Sequence, residues 1–281
     1  FFHAEAGSRP CLLSRGLGDV YKRQGNMGSA IIKSYLKTSG TSDVIHVIDP
    51  FVSDNTKDLL SECKFYESFN DLQDSIEFDT VVLAIKPQSF DEISRDLSNF
   101  ITEKSIVISI MAGVETKRIS NSLNKNAAVI RCMPNIAALV NRSVNVAYIA
   151  KDSNQSHKKR FENIFLSSGP IRWVNNEDLI HKTTALSGSG PAYFFIFIEA
   201  LAKAGQNAGL SEEQAMDLSI DTLIGAAALI EQDRSPEKLR ESVTSKGGTT
   251  AAALSVFKNN NNLDELVSEA LLAAEKKSRE L

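Results

Sequence analysis

From residue 25 onward the apolar positions follow two alternating rhythms, and after about residue 175 only one continues. Short runs of β-branched and aliphatic residues alternate with stretches in which apolar residues recur every three or four positions. A continuous apolar run marks a strand covered on both faces; the longer spacing marks an amphipathic helix. The pattern predicts strands over 44–48, 64–66, 79–85, 105–110, 127–132, 144–150 and 171–174. Between them it predicts helices over 25–39, 53–61, 69–76, 88–100, 115–124 and 154–166. The first of these offers Ala30, Ile31, Ile32 and Tyr35 for burial. Strand and helix alternating in this way build a doubly wound, mostly parallel sheet.

Beyond residue 175 the strand pattern vanishes. Pro191 opens a long apolar helix at a position where its missing N–H is harmless. Ser211 with Gln214 three residues on is a capping-box signature for a helix to about residue 232. Ser235-Pro236 begins a short helix, residues 249–258 form another, and Leu263, Leu266, Val267, Ala270, Leu271 and Ala274 mark a final amphipathic stripe. The expected domains are 25–175, α/β, and 176–281, all-helical. The helix around 193–202 is apolar nearly all round, and so small a helical half has little core to hide it. Burial against a second subunit is therefore expected.

Residues 1–24 break the rhythm. The hexapeptide Asp19-Val20-Tyr21-Lys22-Arg23-Gln24 is what the codons GAT GTG TAT AAG AGA CAG encode. That string resembles a transposon-end adaptor used in sequencing-library preparation. Residues 1–24 are accordingly expected to be a non-native leader that replaces the first strand of the sheet and adds nothing to the fold, the alternative being a natural, divergent leader.

The formal net charge of −4 favours neither a nucleic acid nor a membrane partner. The one basic cluster, His157-Lys158-Lys159-Arg160, reads as a solvated helix face. Cys11, Cys63 and Cys132 are too few and too scattered for a disulfide framework or a metal site, and they suit a reducing, cytoplasmic compartment. The apolar run 191–202 is interrupted by Glu199 and falls short of the roughly 20 residues of a membrane span. His46 and His181 read as structural, and Cys132, with no evident base beside it, as core.

Three glycine- or proline-bearing runs carry the candidate chemistry. Thr244-Ser245-Lys246-Gly247-Gly248-Thr249-Thr250 suits neither helix nor strand interior, since glycine there costs about 0.5–1 kcal/mol. Such a run can bring bare backbone N–H groups and hydroxyls to a small anion. Its threonines can also simply cap the following helix. Leu186-Ser187-Gly188-Ser189-Gly190-Pro191-Ala192-Tyr193 lies upstream, and Ala84-Ile85-Lys86-Pro87-Gln88 ends an apolar strand. Gly25-Asn26-Met27-Gly28 fits the second and third glycines of a dinucleotide-binding turn, with Arg23 at the first. Asp49, about 20 residues on at a strand end, is either a ribose ligand or a turn residue before Pro50. A carboxylate in the first role would repel a 2′-phosphate and so leans towards NAD. The strand exits at 84–87 and 110–113 lie where ligands of such sheets bind.

In this order the motifs Gly-Asn-Met-Gly, Ala-Ile-Lys-Pro-Gln, Ala-Gly-Val, Arg-Cys-Met-Pro-Asn, Ser-Gly-Ser-Gly-Pro-Ala-Tyr and Thr-Ser-x-Gly-Gly-Thr-Thr make the chain resemble the pyrroline-5-carboxylate reductases from Gly25 to its end. The resemblance implies a Rossmann-like dinucleotide-binding domain followed by an all-α dimerisation domain. It implies reduction of Δ1-pyrroline-5-carboxylate to L-proline by NADPH or NADH, the last step of proline synthesis. It further implies a homodimer, often assembled into decamers. Cofactor contacts carry over to Gly25, Asn26, Met27, Gly28, Asn55, Ala84, Lys86, Pro87, Met111 and Ala112. Substrate contacts carry over to Ser245, Gly248, Thr249 and Thr250. The catalytic pair is then Thr250, at the ring nitrogen, with Ser245 supporting the loop, and no metal is needed. Lys246 stands where the family has proline, which loosens the loop but leaves the glycine amides in place. Two competing expectations remain: a related dehydrogenase using Lys203, and a non-catalytic oligomer, given the replaced first strand and first glycine.

Overall fold

The fold is described from a computed structural model, which describes residues 11–15, 25–38, 44–73, 75–123, 126–150 and 154–281. Strand β1 (Cys11–Arg15) is followed in sequence by helix α1 (Gly25–Thr38), then β2 (Ile45–Ile48), α2 (Asp54–Leu59), β3 (Lys64–Tyr66) and β4 (Phe78–Ala84). Next come α3 (Phe90–Leu97), β5 (Ile101–Ser109), α4 (Thr116–Leu123), β6 (Ala128–Met133), β7 (Asn145–Ile149), α5 (Gln155–Phe165), β8 (Ile171–Trp173) and α6 (Leu179–Thr183). The remainder is helical: α7 (Gly190–Asn207), α8 (Glu212–Gln232), α9 (Pro236–Ser242), α10 (Thr249–Lys258) and α11 (Asn262–Arg279). Two compact units result, one running to Gly188 and including Ala274–Leu281, the other Ser189–Ala273.

The first unit holds one eight-stranded sheet in the order β3-β2-β1-β4-β5-β6-β7-β8. All its pairs are parallel except β6 with β7. The doubly wound sheet foreseen from the alternating pattern is therefore present. Strand residues pointing alternately up and down feed two apolar clusters. Val82, Ile106, Ile108 and Ile130 join Ile31, Ile32, Tyr35, Phe161 and Phe165 on one face. Val81, Leu83, Val107 and Val129 join Phe90, Leu97, Ile119 and Leu123 on the other. Burying each such aliphatic side chain contributes about 1.5–3 kcal/mol, and cover on both faces is what makes these strands continuously apolar.

The expectation that residues 1–24 add nothing to the fold is overturned for residues 11–15. They form β1, which pairs with β2 from Cys11 opposite Ile45 to Ser14 opposite Ile48 and with β4 from Cys11 opposite Thr80 to Arg15 opposite Ala84. The physical reason is the slot itself. Two parallel strands that flank a gap expose two rows of N–H and C=O groups, and unpaired buried backbone groups are strongly disfavoured. A short apolar run satisfies both rows at once, whatever its origin. Arg23, at the first-glycine position of the turn, lies outside the described residues.

Other boundaries shift for local reasons. The helix expected over 69–76 is reduced to a single 3-10 turn, Phe69–Asp71. The Asp71 carboxylate accepts from Ser68 N at 2.8 Å, and Phe69 and Leu72 are both buried, so one turn meets both demands. Residues 88–100 divide into the 3-10 turn Pro87–Ser89, α3 and the 3-10 turn Ser98–Phe100. Asn154 caps α5 by accepting from Ser156 N at 2.9 Å, and within the helix Phe161 stacks on Phe165 with ring centroids 4.5 Å apart. Trp173 lies at 5.1 Å from Phe161, with Lys158 Nζ over its ring at 5.1 Å.

In the second unit the Ser211–Gln214 box forms as its spacing predicted. Gln214 N donates to Ser211 Oγ at 3.2 Å, and Ser211 N donates to Gln214 Oε1 at 3.1 Å. The unit leaves large apolar side chains in water: Phe195 is 56%, Ile196 65% and Ile224 62% exposed. Isolated exposed apolar residues are ordinary, but a set this large marks an interaction surface.

His46 illustrates how burial sets charge. It is enclosed in β2, stacked on Tyr66 at 5.4 Å and meeting the edge of Phe78 at 5.6 Å. Burial first, and then the charge of Lys64 on the neighbouring strand, hold its imidazole down at about 4. The unfolded chain takes up this proton near pH 6.5, and the folded chain only near pH 4. Stability is therefore intact above about pH 6.5 and falls as the pH drops towards 4, by up to about 3 kcal/mol. Urea midpoints measured from pH 7 to pH 4.5 should show a shallower acid limb in His46→Phe than in the parent chain. Identical limbs would remove His46 from the account.

Candidate active site

In the sheet, β2 and β3 lie to one side of β1, and β4, β5 and β6 to the other. The strand order reverses between β1 and β4, and open α/β sheets bind ligands beyond the carboxyl ends of their strands at that point. Three predicted segments sit at these carboxyl ends: the start of α1, residues 84–87 after β4, and residues 110–113 after β5. The N-terminus of α1 presents N–H groups without helical partners, the usual seat of a pyrophosphate. A Cβ built on Gly28 would lie 3.2 Å from Cβ of Ala84, so only glycine lets α1 sit this close to β4 without displacement. That close approach is what a dinucleotide turn demands of its last glycine. The residues present thus fit a dinucleotide.

The remaining predicted cofactor residues fall in different settings. Asn26 and Asn55 are placed by their backbones in the opening turns of α1 and α2. Met27 packs against the cluster that includes Ile31. Lys86 and Pro87 open the 3-10 turn after β4. Met111 is 1% exposed, so position 111 can offer a ligand little beyond its backbone. Ala112 packs against Met133, Val146 and Ile180. Asp49 is buried, and its Oδ1 accepts from Phe51 N at 2.9 Å, the turn role that its place before Pro50 allowed. Cys132 is wholly buried, and burial pushes its thiol up, in keeping with a core residue.

The glycine–threonine loop of the second unit forms the N-terminus of α10. Gly247 has φ +74°, a left-handed conformation that favours glycine. Gly248 is the N-cap and supplies no side chain. Its N–H donates to Ser245 O at 3.0 Å, and a Cβ there would collide with Ser245 Oγ. Thr249 and Thr250 lie inside the helix and do not cap it. The first bond of the helical ladder is Ala252 N to Gly248 O, at 3.1 Å. Among the described residues, no acceptor meets the N–H groups of Thr249, Thr250 and Ala251. The hydroxyls of Ser245, Thr249 and Thr250 likewise have no protein partner there. Bare N–H groups with the positive end of a helix dipole form a seat for a small carboxylate.

One polar assembly in the first unit was not foreseen. Glu177 Oε1 accepts from Thr116 N at 2.7 Å and from Arg131 Nη1 at 3.3 Å, while its Oε2 accepts from Thr116 Oγ1 at 2.7 Å. Arg131 is fully buried in β6; burial disfavours its charge and Glu177 opposes that effect. Nearby, His181 Nδ1 lies 3.0 Å from Ser278 Oγ, and Arg279 Nη1 donates to Asp178 at 2.5 Å. These partners are 46 to 101 residues apart in sequence, so no local spacing could have announced them.

Residues 177–281 match the family model for pyrroline-5-carboxylate reductase dimerisation, and residues 24–113 that for NADP oxidoreductase, coenzyme F420-dependent. A pyrroline-5-carboxylate reductase of Haemophilus influenzae is 33% identical over 259 residues, 92% of this chain and 94% of that one. The solved pyrroline-5-carboxylate reductase of Coxiella burnetii superposes with a TM-score of 0.83 at 32% identity, covering 96% of this chain and 97% of that one. The pyrroline carboxylate reductase of Plasmodium falciparum, solved with NADP bound, gives 0.78 at 27% identity over 95% and 96% of the two chains. With a Rossmann-like sheet unit, a helical half matched by a dimerisation model and a third of its residues shared along nearly the whole of a relative, the chain belongs to the pyrroline-5-carboxylate reductase family.

Proposed function

We propose that this chain is a cytoplasmic oxidoreductase that reduces Δ1-pyrroline-5-carboxylate to L-proline, using NADPH or NADH, as the last step of proline biosynthesis. The observation that carries this reading is the N-terminus of α10, whose first N–H groups and hydroxyls meet no partner among the described residues. A cyclic imino acid presents two groups to such a seat, a carboxylate and a ring nitrogen. The amides of Thr249 and Thr250, beside the glycine cap Gly248, hold the carboxylate, and Ser245 supports the loop. The Thr250 hydroxyl sits by the ring nitrogen and holds or hands over its proton. Bound at the carboxyl edge of the sheet, the nicotinamide cofactor supplies the hydride that the C=N carbon receives. Gly25, Asn26, Met27 and Gly28 seat its pyrophosphate, and Asn55, Ala84, Lys86, Pro87, Met111 and Ala112 line its path. A protonated imine is already electrophilic, so the chain's main task is positioning, which is worth about 7–11 kcal/mol in favourable cases. With Asp49 engaged by Phe51 N, its carboxylate is no strong reason to prefer NADH.

The non-catalytic alternative rested on a replaced first strand and first glycine; β1 occupies the strand slot, and Arg23, at the glycine position, lies outside the described residues. The exposed apolar helices of the second unit are the surfaces through which two copies form a homodimer, with a decamer as the further assembly. The stretch Leu179–Asn207 is long and apolar enough to cross a membrane by length and composition. The match of its helical half to a dimerisation family supports a partner subunit as its cover instead.

Three measurements test this reading. In Thr250→Ala, kcat for the cyclic imine should fall about a hundredfold or more, as loss of a positioned proton donor does. The KM for NADPH should stay within about twofold, so that the loss lies in the proton-bearing step. Near-normal turnover would remove the hydroxyl from the mechanism. Gly28→Val should weaken NADPH binding, followed by fluorescence titration, at least tenfold while leaving the circular-dichroism spectrum unchanged; an unaltered titration would dismiss the proposed pyrophosphate seat. Ile196→Glu combined with Ile224→Glu should lower the mass found by light scattering, and an unchanged mass would place the subunit contact elsewhere.

A further inference from the structure

Residues 110–115 join β5 to α4, and on the proposed reading they carry the cofactor contacts at Met111 and Ala112. Their near end is fixed by the sheet: Ile110 N donates to Leu83 O at 3.1 Å, and Met111 N donates to Ser109 Oγ at 3.3 Å. Their far end, the first residue of α4, is fixed by a side chain from 61 positions away. Glu177 takes both polar groups of Thr116, N–H and hydroxyl, at 2.7 Å each. An anion at a helix N-terminus satisfies an orphan N–H and meets the positive end of the dipole. The arrangement is rigid because Glu177 is itself held by Arg131, which is buried in the next strand of the sheet. Arg131 has few other demands on it: its Nε and Nη2 have no partner among the described residues. Glu177 also lies two residues before α6, whose Ile180 packs with Met133 and Val146 beside Ala112. The loop is thus clamped from both ends, and from beneath, by groups on β4, β6 and the entry to α6.

We propose that Glu177 is a positioning residue for the nicotinamide cofactor. It touches neither cofactor nor substrate. It acts through Thr116, setting the 110–115 loop at the height at which its backbone meets the cofactor. This inference rests on the reading that the loop contacts the cofactor. If Glu177 merely stabilised the fold, its loss would lower the melting temperature and leave the affinity of the folded enzyme unchanged. If it positions the loop, cofactor affinity falls while the α10 seat for the substrate carboxylate is unaffected.

The test compares Glu177→Ala, Glu177→Gln and Thr116→Val in the full chain. It reads NADPH affinity by fluorescence titration, and the two KM values and kcat by steady-state assay. Glu177→Ala should raise the dissociation constant and the KM for NADPH about tenfold, with the KM for pyrroline-5-carboxylate changed less than twofold. Glu177→Gln keeps an acceptor for Thr116 N and should recover most of that loss. Thr116→Val removes only the hydroxyl contact and should raise the NADPH constant about threefold. Removing one partner of a buried pair can unfold a protein; if Glu177→Ala does not fold, Thr116→Val decides. An unchanged NADPH constant in a folded Glu177→Ala, or in Thr116→Val where that variant decides, overturns the proposal. Ala112→Leu separates the two readings. If it weakens NADPH binding while Glu177→Ala does not, the loop contacts the cofactor but Glu177 does not position it. If Ala112→Leu leaves NADPH binding intact, the contact assigned to the loop falls, and the positioning role falls with it.

Discussion

A parallel sheet stands only if every interior strand is paired on both sides and both faces are covered, because a buried N–H or C=O left without a partner is disfavoured by a few kcal/mol. The first unit is organised around that constraint. It draws residues 11–15 into the slot between β2 and β4. It splits the alternating side chains of β4, β5 and β6 into two apolar clusters, one under α1 and α5 and the other under α3 and α4. It also leaves the carboxyl edge as the place where strand exits, helix starts and their unpaired N–H groups gather, and the cofactor-binding chemistry assigned to this family follows from that edge.

The second unit obeys the opposite rule. Its helices satisfy their own backbones, so nothing compels them to bury their apolar faces within one chain, and many of those faces are exposed. Their polar opportunity lies at a helix end. At the start of α10 a glycine caps without a side chain, so the amides that a serine or aspartate cap would engage meet no acceptor among the described residues. The same freedom that makes glycine a poor helix residue makes it a good frame for a carboxylate.

Between these extremes lies the ion pair of buried Arg131 with half-buried Glu177. A buried ion pair is weak evidence of stability, since its desolvation offsets much of its attraction. Its value in this fold is geometric. It joins β6, the start of α4 and the entry to α6, three elements from distant parts of the sequence, at one carboxylate.

By itself the sequence determined the alternation of strands and helices through β8, the loss of strands afterwards, the Ser211 cap and the glycine–threonine loop, because periodicity, capping and glycine geometry act over a few residues. The buried face of α1 was legible in the same way: Ala30, Ile31, Ile32 and Tyr35 are all in the core. Tertiary structure alone decided that residues 11–15 complete the sheet, that 69–76 shrinks to one turn, and that Glu177 reaches Thr116. Each of these outcomes depends on a partner supplied from elsewhere, whether a ladder on either side, a core that accepts Phe69 and Leu72, or an orphan N–H from another helix. Local pattern carries no record of such partners, because the energy that selects them exists only once the chain has brought them within a few ångströms.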